Sequence, residues 1–244
     1  GTITVKAKVS SIALDETIIN EAGATSTLTA TLSSAHSKDV IIPLTISGTA
    51  SLADYSTAFT TKGVTTVAGG NDAGYDLNQL YTPYDVFVDS DENIYVSDHN
   101  GSRIVKWAPG ATEGVAIISS VNARSLHVDN SGNIYVSKGY DVIKYTLSDG
   151  SYSASTVAGG NGSGNALNQL ANPQGIDVDD SGNIYVVDEG NHRVVKWAPD
   201  AEVGVLVAGG NSYGSDLNQL YNPKDVTVDS SGNIIEITDG GGTV

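Results

Sequence analysis

The commonest chemically active groups in this chain are carboxylates, and they recur at one place. Asp179, Asp180, Ser181, Gly182 and Asn183 form a short acidic turn, and its relatives occupy residues 89–93, 129–133 and 229–233. Oxygen-rich turns suit a hard cation such as calcium, but each lacks the glutamate that an EF-hand loop places at its twelfth position. Because the turn returns at the same point in every repeat, hairpin chemistry is its plain reading and weak calcium binding the sharper one. The histidines are His36, His99, His127 and His192, and nothing in their spacing brings them together. His99 and His192 fall on polar turns and are expected to face water. His127 falls in a strand, where the other repeats carry Phe87, Asp177 and Thr227. No nucleophile-elbow serine, phosphate loop or HisGluxxHis motif is present. With no cysteine in the chain, thiol catalysis, disulfides and Cys-ligated metal sites are excluded.

A second group of residues suits binding better than catalysis. Tyr75, Tyr81 and Tyr84, then Tyr213 and Tyr221, lie beside Asn78, Gln79, Asn168, Gln169, Asn218 and Gln219. Tyrosine and amide side chains on loops fit protein or sugar partners, and loops are where rigid scaffolds present function. The competing reading is structural: Leu77 and Leu80, with their copies, anchor the loop while Asn and Gln tie down its backbone.

These residues are set by a repeat. ValAlaGlyGlyAsn stands at 67–71, 157–161 and 207–211, LeuAsnGlnLeu at 77–80, 167–170 and 217–220, and a proline follows at Pro83, Pro173 and Pro223. Self-similarity at 40–50 residues signals a propeller or solenoid. Within 173–210 the pattern predicts strands at 175–179, 184–188, 193–197 and 203–208, with Ser181-Gly182 as a tight hairpin and 189–192 as a polar turn. Four antiparallel strands per unit is the blade of a β-propeller. The second unit is degenerate. Residues 115–121 run into 122–129 without the LeuAsnGlnLeu loop, and Tyr145 stands where the others have Trp107 and Trp197. The fourth unit shows two strands, 225–229 and 233–239. The expectation is therefore three full blades and one partial blade over residues 63–244. One way to close such a ring uses 65–68 as the outer strand of the last blade; the other places further blades beyond Val244.

At Pro83, 85–89, 93–98 and 102–107, and again at 173–179, 183–188 and 192–197, the chain resembles the NHL-repeat family. The resemblance spans residues 64–244 and implies a propeller, commonly of six blades. That family includes amidating lyases, which hold zinc through a histidine directly after the blade-opening proline. The matching positions here are Tyr84, Arg124, Gln174 and Lys224. None is histidine, so the resemblance carries no zinc site into this chain. Together with Tyr75, Tyr81, Tyr213 and Tyr221, these positions make the candidate binding face.

Residues 1–62 read as strands at 2–9, 26–32 and 40–46, the last with an edge-favouring Pro43. An early glutamate beside residues 20–23, then Gly48-Thr49-Ala50 and Asp54-Tyr55, resembles the first half of a Calx-β domain. Ser47 stands where that family has an acidic residue. The alternative is an immunoglobulin-like sandwich. The family's remaining strands do not follow Tyr55, which suggests a propeller inserted in the sandwich domain of a longer polypeptide.

The formal net charge is −16. Residues 1–62 hold four Lys/Arg against five Asp/Glu, so −15 falls on residues 63–244. Such an acidic chain excludes nucleic acid as a partner, since phosphates demand a basic footprint, and disfavours an anionic membrane. No apolar run spans a bilayer, and no signal peptide is present in this segment. The module combination resembles large secreted or cell-surface bacterial proteins. The expected function is a noncatalytic structural or adhesive module, in a fibre or surface layer, contacting proteins or glycans. The alternatives are an amidating-lyase-type enzyme and a calcium-stabilised stalk. Unpaired strand edges imply completion by the same polypeptide or by neighbouring copies through strand addition. On this reading the purified chain carries no stoichiometric zinc or iron and keeps its fold in chelator. Metal analysis checks this: stoichiometric metal points to the enzyme, and a calcium-induced rise in melting temperature to the stalk.

Overall fold

The computed structural model describes residues 66–239 and the strand segments 2–3, 9–14, 28–32, 44–45 and 242–243. Tertiary contacts divide the chain into two compact units, Gly1–Gly63 and Val64–Val244. In the first unit β1 (Thr2–Ile3) pairs with β4 (Leu44–Thr45), and β2 (Val9–Leu14) pairs with β3 (Leu28–Leu32), both antiparallel. Strand β2 was not legible, because its apolar residues Val9, Ile12 and Leu14 do not keep strict alternation. The motif residues 20–23, 48–50 and 54–55 lie outside the described residues.

The second unit is built of propeller blades. Blade 1 is β5 (Pro83–Val88), β6 (Ile94–Asp98), β7 (Arg103–Trp107) and β8 (Val115–Ser119). Blade 2 is β9 (Ser125–Val128), β10 (Ile134–Lys138), β11 (Asp141–Ser148) and β12 (Ser151–Ala158). Blade 3 is β13 (Pro173–Val178), β14 (Ile184–Asp188), β15 (Arg193–Trp197) and β16 (Val205–Gly209). A last sheet holds β17 (Asp225–Val228), β18 (Ile234–Asp239) and β19 (Gly242–Thr243). Each sheet is an antiparallel meander in chain order. The first strands of successive blades lie side by side, β5 on β9, β9 on β13 and β13 on β17. They line the axis, and later strands step outward. Residues 66–68 form no strand, so they do not serve as the outer strand of the last blade.

Strand alternation sorts side chains between two interfaces. In blade 3, Ile184 and Val186 pack toward blade 2, while Tyr185 and Val187 pack toward the last sheet. Blade 1 meets blade 2 through Tyr95, Ile104 and Ile118 against Leu126, Val128 and Ile134. Each buried Val, Ile or Leu contributes roughly 1.5–3 kcal/mol, so the core is a series of thin layers rather than one mass. Trp107, Tyr145 and Trp197 occupy one register position, opposite Ile94, Ile134 and Ile184.

The acidic turns close the hairpin between first and second strands. Asp179 accepts from the backbone N–H groups of Ser181 and Asn183, from the Asn183 amide and from the Tyr185 hydroxyl. Asp89 does the same with Asp91, Asn93 and Tyr95. Burial raises the pKa of both carboxyls, but these donors outweigh it and hold them below the ordinary aspartate value. Lys106, Lys144 and Lys196 then cap Tyr95, Tyr135 and Tyr185 with ammonium groups 5.0, 5.0 and 4.9 Å from the ring centres.

In blades 1 and 3 the opposite end of the second and third strands carries a buried ion pair. Asp188 and Arg193 face each other across the β14–β15 turn, with Nε to Oδ2 at 2.7 Å. The rest of the guanidinium reaches the carbonyls of Asn165, Ala166 and Gln169 in the preceding loop. The second Asp188 oxygen accepts the Ala171 N–H at 2.7 Å. Asp98 and Arg103 repeat this with the carbonyls of Tyr75, Asp76 and Gln79 and the Tyr81 N–H. Blade 2 has Lys138 opposite Asp141 at that register and no such loop. Arg193→Ala is expected to cost about 3–5 kcal/mol by leaving Asp188 buried and unpaired. Urea denaturation checks this; the double variant Asp188→Leu, Arg193→Met should cost less than Arg193→Ala alone.

Candidate binding face

The LeuAsnGlnLeu loops are shaped by their own polar residues. Gln79, Gln169 and Gln219 each donate to the carbonyl of the asparagine eight residues before, at 2.8, 2.9 and 2.9 Å. Those asparagines, Asn71, Asn161 and Asn211, donate back to the carbonyls of Asn78, Asn168 and Asn218. A Cβ on Gly74, Gly164 or Gly214 would stand about 2 Å from the glutamine oxygen, so a side chain there would displace the glutamine from its hydrogen bond. Only the second leucine anchors: Leu170 and Leu220 are buried and Leu80 is half-buried, while Leu77, Leu167 and Leu217 are exposed. The expectation that both leucines anchor is corrected, because the first points away from the blade and holds the loop through its carbonyl. Leu77 and Leu167 accept from Gly114 and Gly204 at 2.8 and 2.9 Å.

At the start of the inner strands, the structure brings half of the candidate residues into one row. Tyr84 stacks on His99 with ring centres 4.2 Å apart and planes 5° from parallel. The His99 Nδ1–H donates to the Ala123 carbonyl at 2.9 Å. Next in the chain, the Arg124 guanidinium donates to the Asn172 side-chain oxygen. The Asn172 amide donates to Glu189 Oε2, and Gln174 donates to the same oxygen at 2.8 Å. Lys224 pairs with Glu189 Oε1. The row therefore runs without a break from blade 1 to the last sheet, through Tyr84, Arg124, Gln174 and Lys224. Asn172 holds a left-handed backbone with φ 61°, which asparagine tolerates better than most residues.

The remaining tyrosines form two flanking groups. Tyr75 and Tyr81 are exposed, with ring centres 5.5 Å apart. Tyr213 and Tyr221, also exposed, surround His192 at 5.6 and 6.5 Å. His99 and His192 are thus half-buried, not water-facing as expected, because Tyr84 of β5 covers the first and Tyr213 and Tyr221 of the adjoining loop cover the second. Glu189 was missed. It lies on the turn Glu189–Asn191, and its sequence signal is being the single acidic residue directly after Asp188 in a copy of the turn that elsewhere reads His99.

Deeper along the axis, His127 Nδ1 lies 2.9 Å from Asp177 Oδ1. Asp177 also accepts the Val178 and Val228 N–H groups, which fixes the carboxylate and thereby the imidazole. Phe87 tilts against His127 at 5.0 Å, and a cavity of about 310 Å3 adjoins, lined by Phe87, His127, Tyr135 and Asp179. Adjacent first strands carry residues 87, 127 and 177 at one register position, the signal that could have found this pair. Among the described residues no three His, Asp or Glu side chains are grouped to hold a metal ion, and the zinc chemistry of amidating lyases does not fit Tyr84, Arg124, Gln174 and Lys224. No described helix is long and apolar enough to cross a membrane.

Residues 170–197, which carry the first three strands of blade 3, match the NHL repeat family model. No curated protein matches the chain. Among solved structures, it is similar to an auxiliary nutrient binding protein from Bacteroides ovatus, at 15% identity and a TM-score of 0.53 over 67% of this chain and 47% of that one. A protein of unknown function from Bacteroides thetaiotaomicron gives 21% and 0.50 over 66% and 45%. A virginiamycin B lyase from Staphylococcus aureus gives 17% and 0.45 over 68% and 52%. The chain spans about half the length of each. The similar structures thus include both an enzyme and a binding protein. Glu189→Ala is expected to loosen the rim, with faster amide exchange at 172–174 and a loss of about 1–3 kcal/mol. Hydrogen exchange checks it; unchanged protection at 172–174 would show that Glu189 does not organise the row.

Proposed function

We propose that this chain is a noncatalytic binding module of an extracellular or cell-surface bacterial protein, and that its rim takes a glycan. The observation that supports this reading is the unbroken row from Tyr84 to Lys224. It sets an exposed aromatic ring, on which a sugar face can stack, at one end of a line of amide, guanidinium and ammonium groups. Arg124 and Lys224 against Glu189 leave one net positive charge in the row, within an acidic chain. That balance favours neutral or acidic sugars over basic ligands. Glu189 holds three partners with its two oxygens, so it serves as an organiser rather than a proton carrier. A second reading, acid–base chemistry, is favoured by one observation, the His127 imidazole oriented by Asp177.

Glycan-array screening followed by calorimetry tests the proposal. Tyr84→Ala should weaken the captured glycan about tenfold, the worth of one lost stacking contact, and Arg124→Ala should weaken it at least as much. Binding that survives both substitutions sinks the glycan reading. Capture of a protein through the same residues replaces the sugar with a protein surface. Turnover that is lost in His127→Ala moves the function to catalysis.

A further inference from the structure

The repeat is broken at two places that face one another. Positions 87, 127, 177 and 227 lie side by side on β5, β9, β13 and β17, three residues beyond the rim row of Tyr84, Arg124, Gln174 and Lys224. They read Phe87, His127, Asp177 and Thr227. In the hairpin turn that follows, Ser90, Asn130 and Ser230 stand where blade 3 has Asp180. His127 and Asp180 both line the cavity of about 310 Å3, a size at the lower end of small-molecule sites. Its walls come from three blades: Phe87 of blade 1, His127, Val128 and Tyr135 of blade 2, and Val178 and Asp180 of blade 3.

The imidazole presents a fixed acceptor here. Asp177 Oδ1 lies 2.9 Å from His127 Nδ1, and a carboxylate only accepts, so Nδ1 carries the proton. In the neutral ring the lone pair then sits on Nε2, and among the described residues nothing donates to it. The carboxylate is itself held, since Oδ1 accepts the Val178 N–H and Oδ2 the Val228 N–H, at 2.9 and 2.8 Å. Beside the imidazole stands Phe87, with ring centres 5.0 Å apart and planes tilted by 57°. The Tyr135 ring is already engaged, with Lys144 Nζ 5.0 Å from its centre.

Charge selects the ligand. Asp129, Asp179 and Asp180 line the cavity, and among the described residues no lysine or arginine does. Asp129 and Asp179 are occupied by the N–H and amide groups of their own turns, and Lys196 stands 3.8 Å from Asp179 Oδ2. These two set the sign of the field without gripping a ligand. Asp180 is exposed and bonds no described residue.

We propose that this cavity is a second binding site, which takes a small primary ammonium ion on an apolar stem. The ammonium donates one N–H to His127 Nε2, lies against the face of Phe87 and meets Asp180, while Val128 and Val178 receive the stem. An ammonium carries three donors and no acceptor, which matches a lone pair, an aromatic face and a carboxylate. His127 acts here as an acceptor and transfers no proton. The rim is a different surface, so the amine site and the glycan reading stand or fall separately.

Calorimetry of the full chain with benzylamine tests this, with benzyl alcohol and benzoate as neutral and anionic counterparts. Benzylamine should bind saturably and the other two should not. His127→Phe places at this register the residue that blade 1 carries there. It should weaken benzylamine about tenfold, the worth of one charge-assisted hydrogen bond. Phe87→Leu should weaken it about threefold through loss of the aromatic face. Asp180→Lys, at an exposed position, should weaken it more at low salt than at high. The fluorescence of Trp107 and Trp197 checks that each variant is folded. The proposal is overturned by the absence of saturable benzylamine binding, by benzyl alcohol binding as tightly, or by an affinity unchanged in His127→Phe or in Asp180→Lys at low salt. Equal binding of benzyltrimethylammonium, which has no N–H to donate, overturns it too.

Discussion

The buried aspartate–arginine pair ties the loops that precede blades 1 and 3 to the blades themselves. Asp188 is completely buried and Arg193 nearly so, and a bare carboxylate there would be untenable without its cation. The guanidinium is planar and presents five donors in a fixed fork. One donor neutralises the aspartate, and the others gather loop carbonyls that no strand can satisfy. In these two copies the loop backbone is thereby anchored to a side chain of the blade it precedes. Blade 2 lacks both the pair and the loop, whereas the last sheet has Thr238 opposite Thr243 at that register and keeps the loop, closed by Gln219 and Asn211.

A loop tied in this way is part of the blade rather than an appendage. Its second leucine enters the core, its glutamine closes it internally, and its glycine makes room for that glutamine. Its first leucine carbonyl holds a glycine beside Trp107 or Trp197. The tyrosines at its ends, Tyr75 and Tyr81 in the first copy, are consequently carried on a fixed frame. For a binding surface this matters energetically, because little ordering remains to be done when a ligand arrives. The inner strands add their own first residues to the same rim, and Glu189 joins them laterally across blades.

Much of the scaffold was legible because its signals are local. The strand at 175–179 follows from alternation, those at 184–188 and 193–197 from short β-branched runs between turn signals, and the Asp–Ser–Gly–Asn turns from side chains that bond their own backbone. Tyr145 in the tryptophan position could be read directly from the repeat. The rim positions Tyr84, Arg124, Gln174 and Lys224 were identifiable by register. Their linkage was not, since Glu189 and Asn172 come from different segments and only the blade stack brings them together. The same holds for His127 and Asp177, which are neighbours across strands fifty residues apart in sequence. The arginine clamp left a trace, Asp98…Arg103 and Asp188…Arg193 at one spacing, but its meaning depends on burial, which spacing alone does not reveal.

Blade 2 differs from its neighbours in having a long plain hairpin, β11–β12, and no loop before it. Repetition alone would give every blade an equivalent rim, and a ligand could then bind at any of several rotations about the axis. The missing loop removes that degeneracy. It leaves Arg124, which stands between the Tyr84–His99 stack and the Gln174–Glu189–Lys224 group, without the flanking loop that precedes the other blades. On the proposed binding role, a molecule lying on this rim would meet an unequal landscape at each step of rotation, so the degenerate repeat would act as an azimuthal key on a pseudosymmetric scaffold.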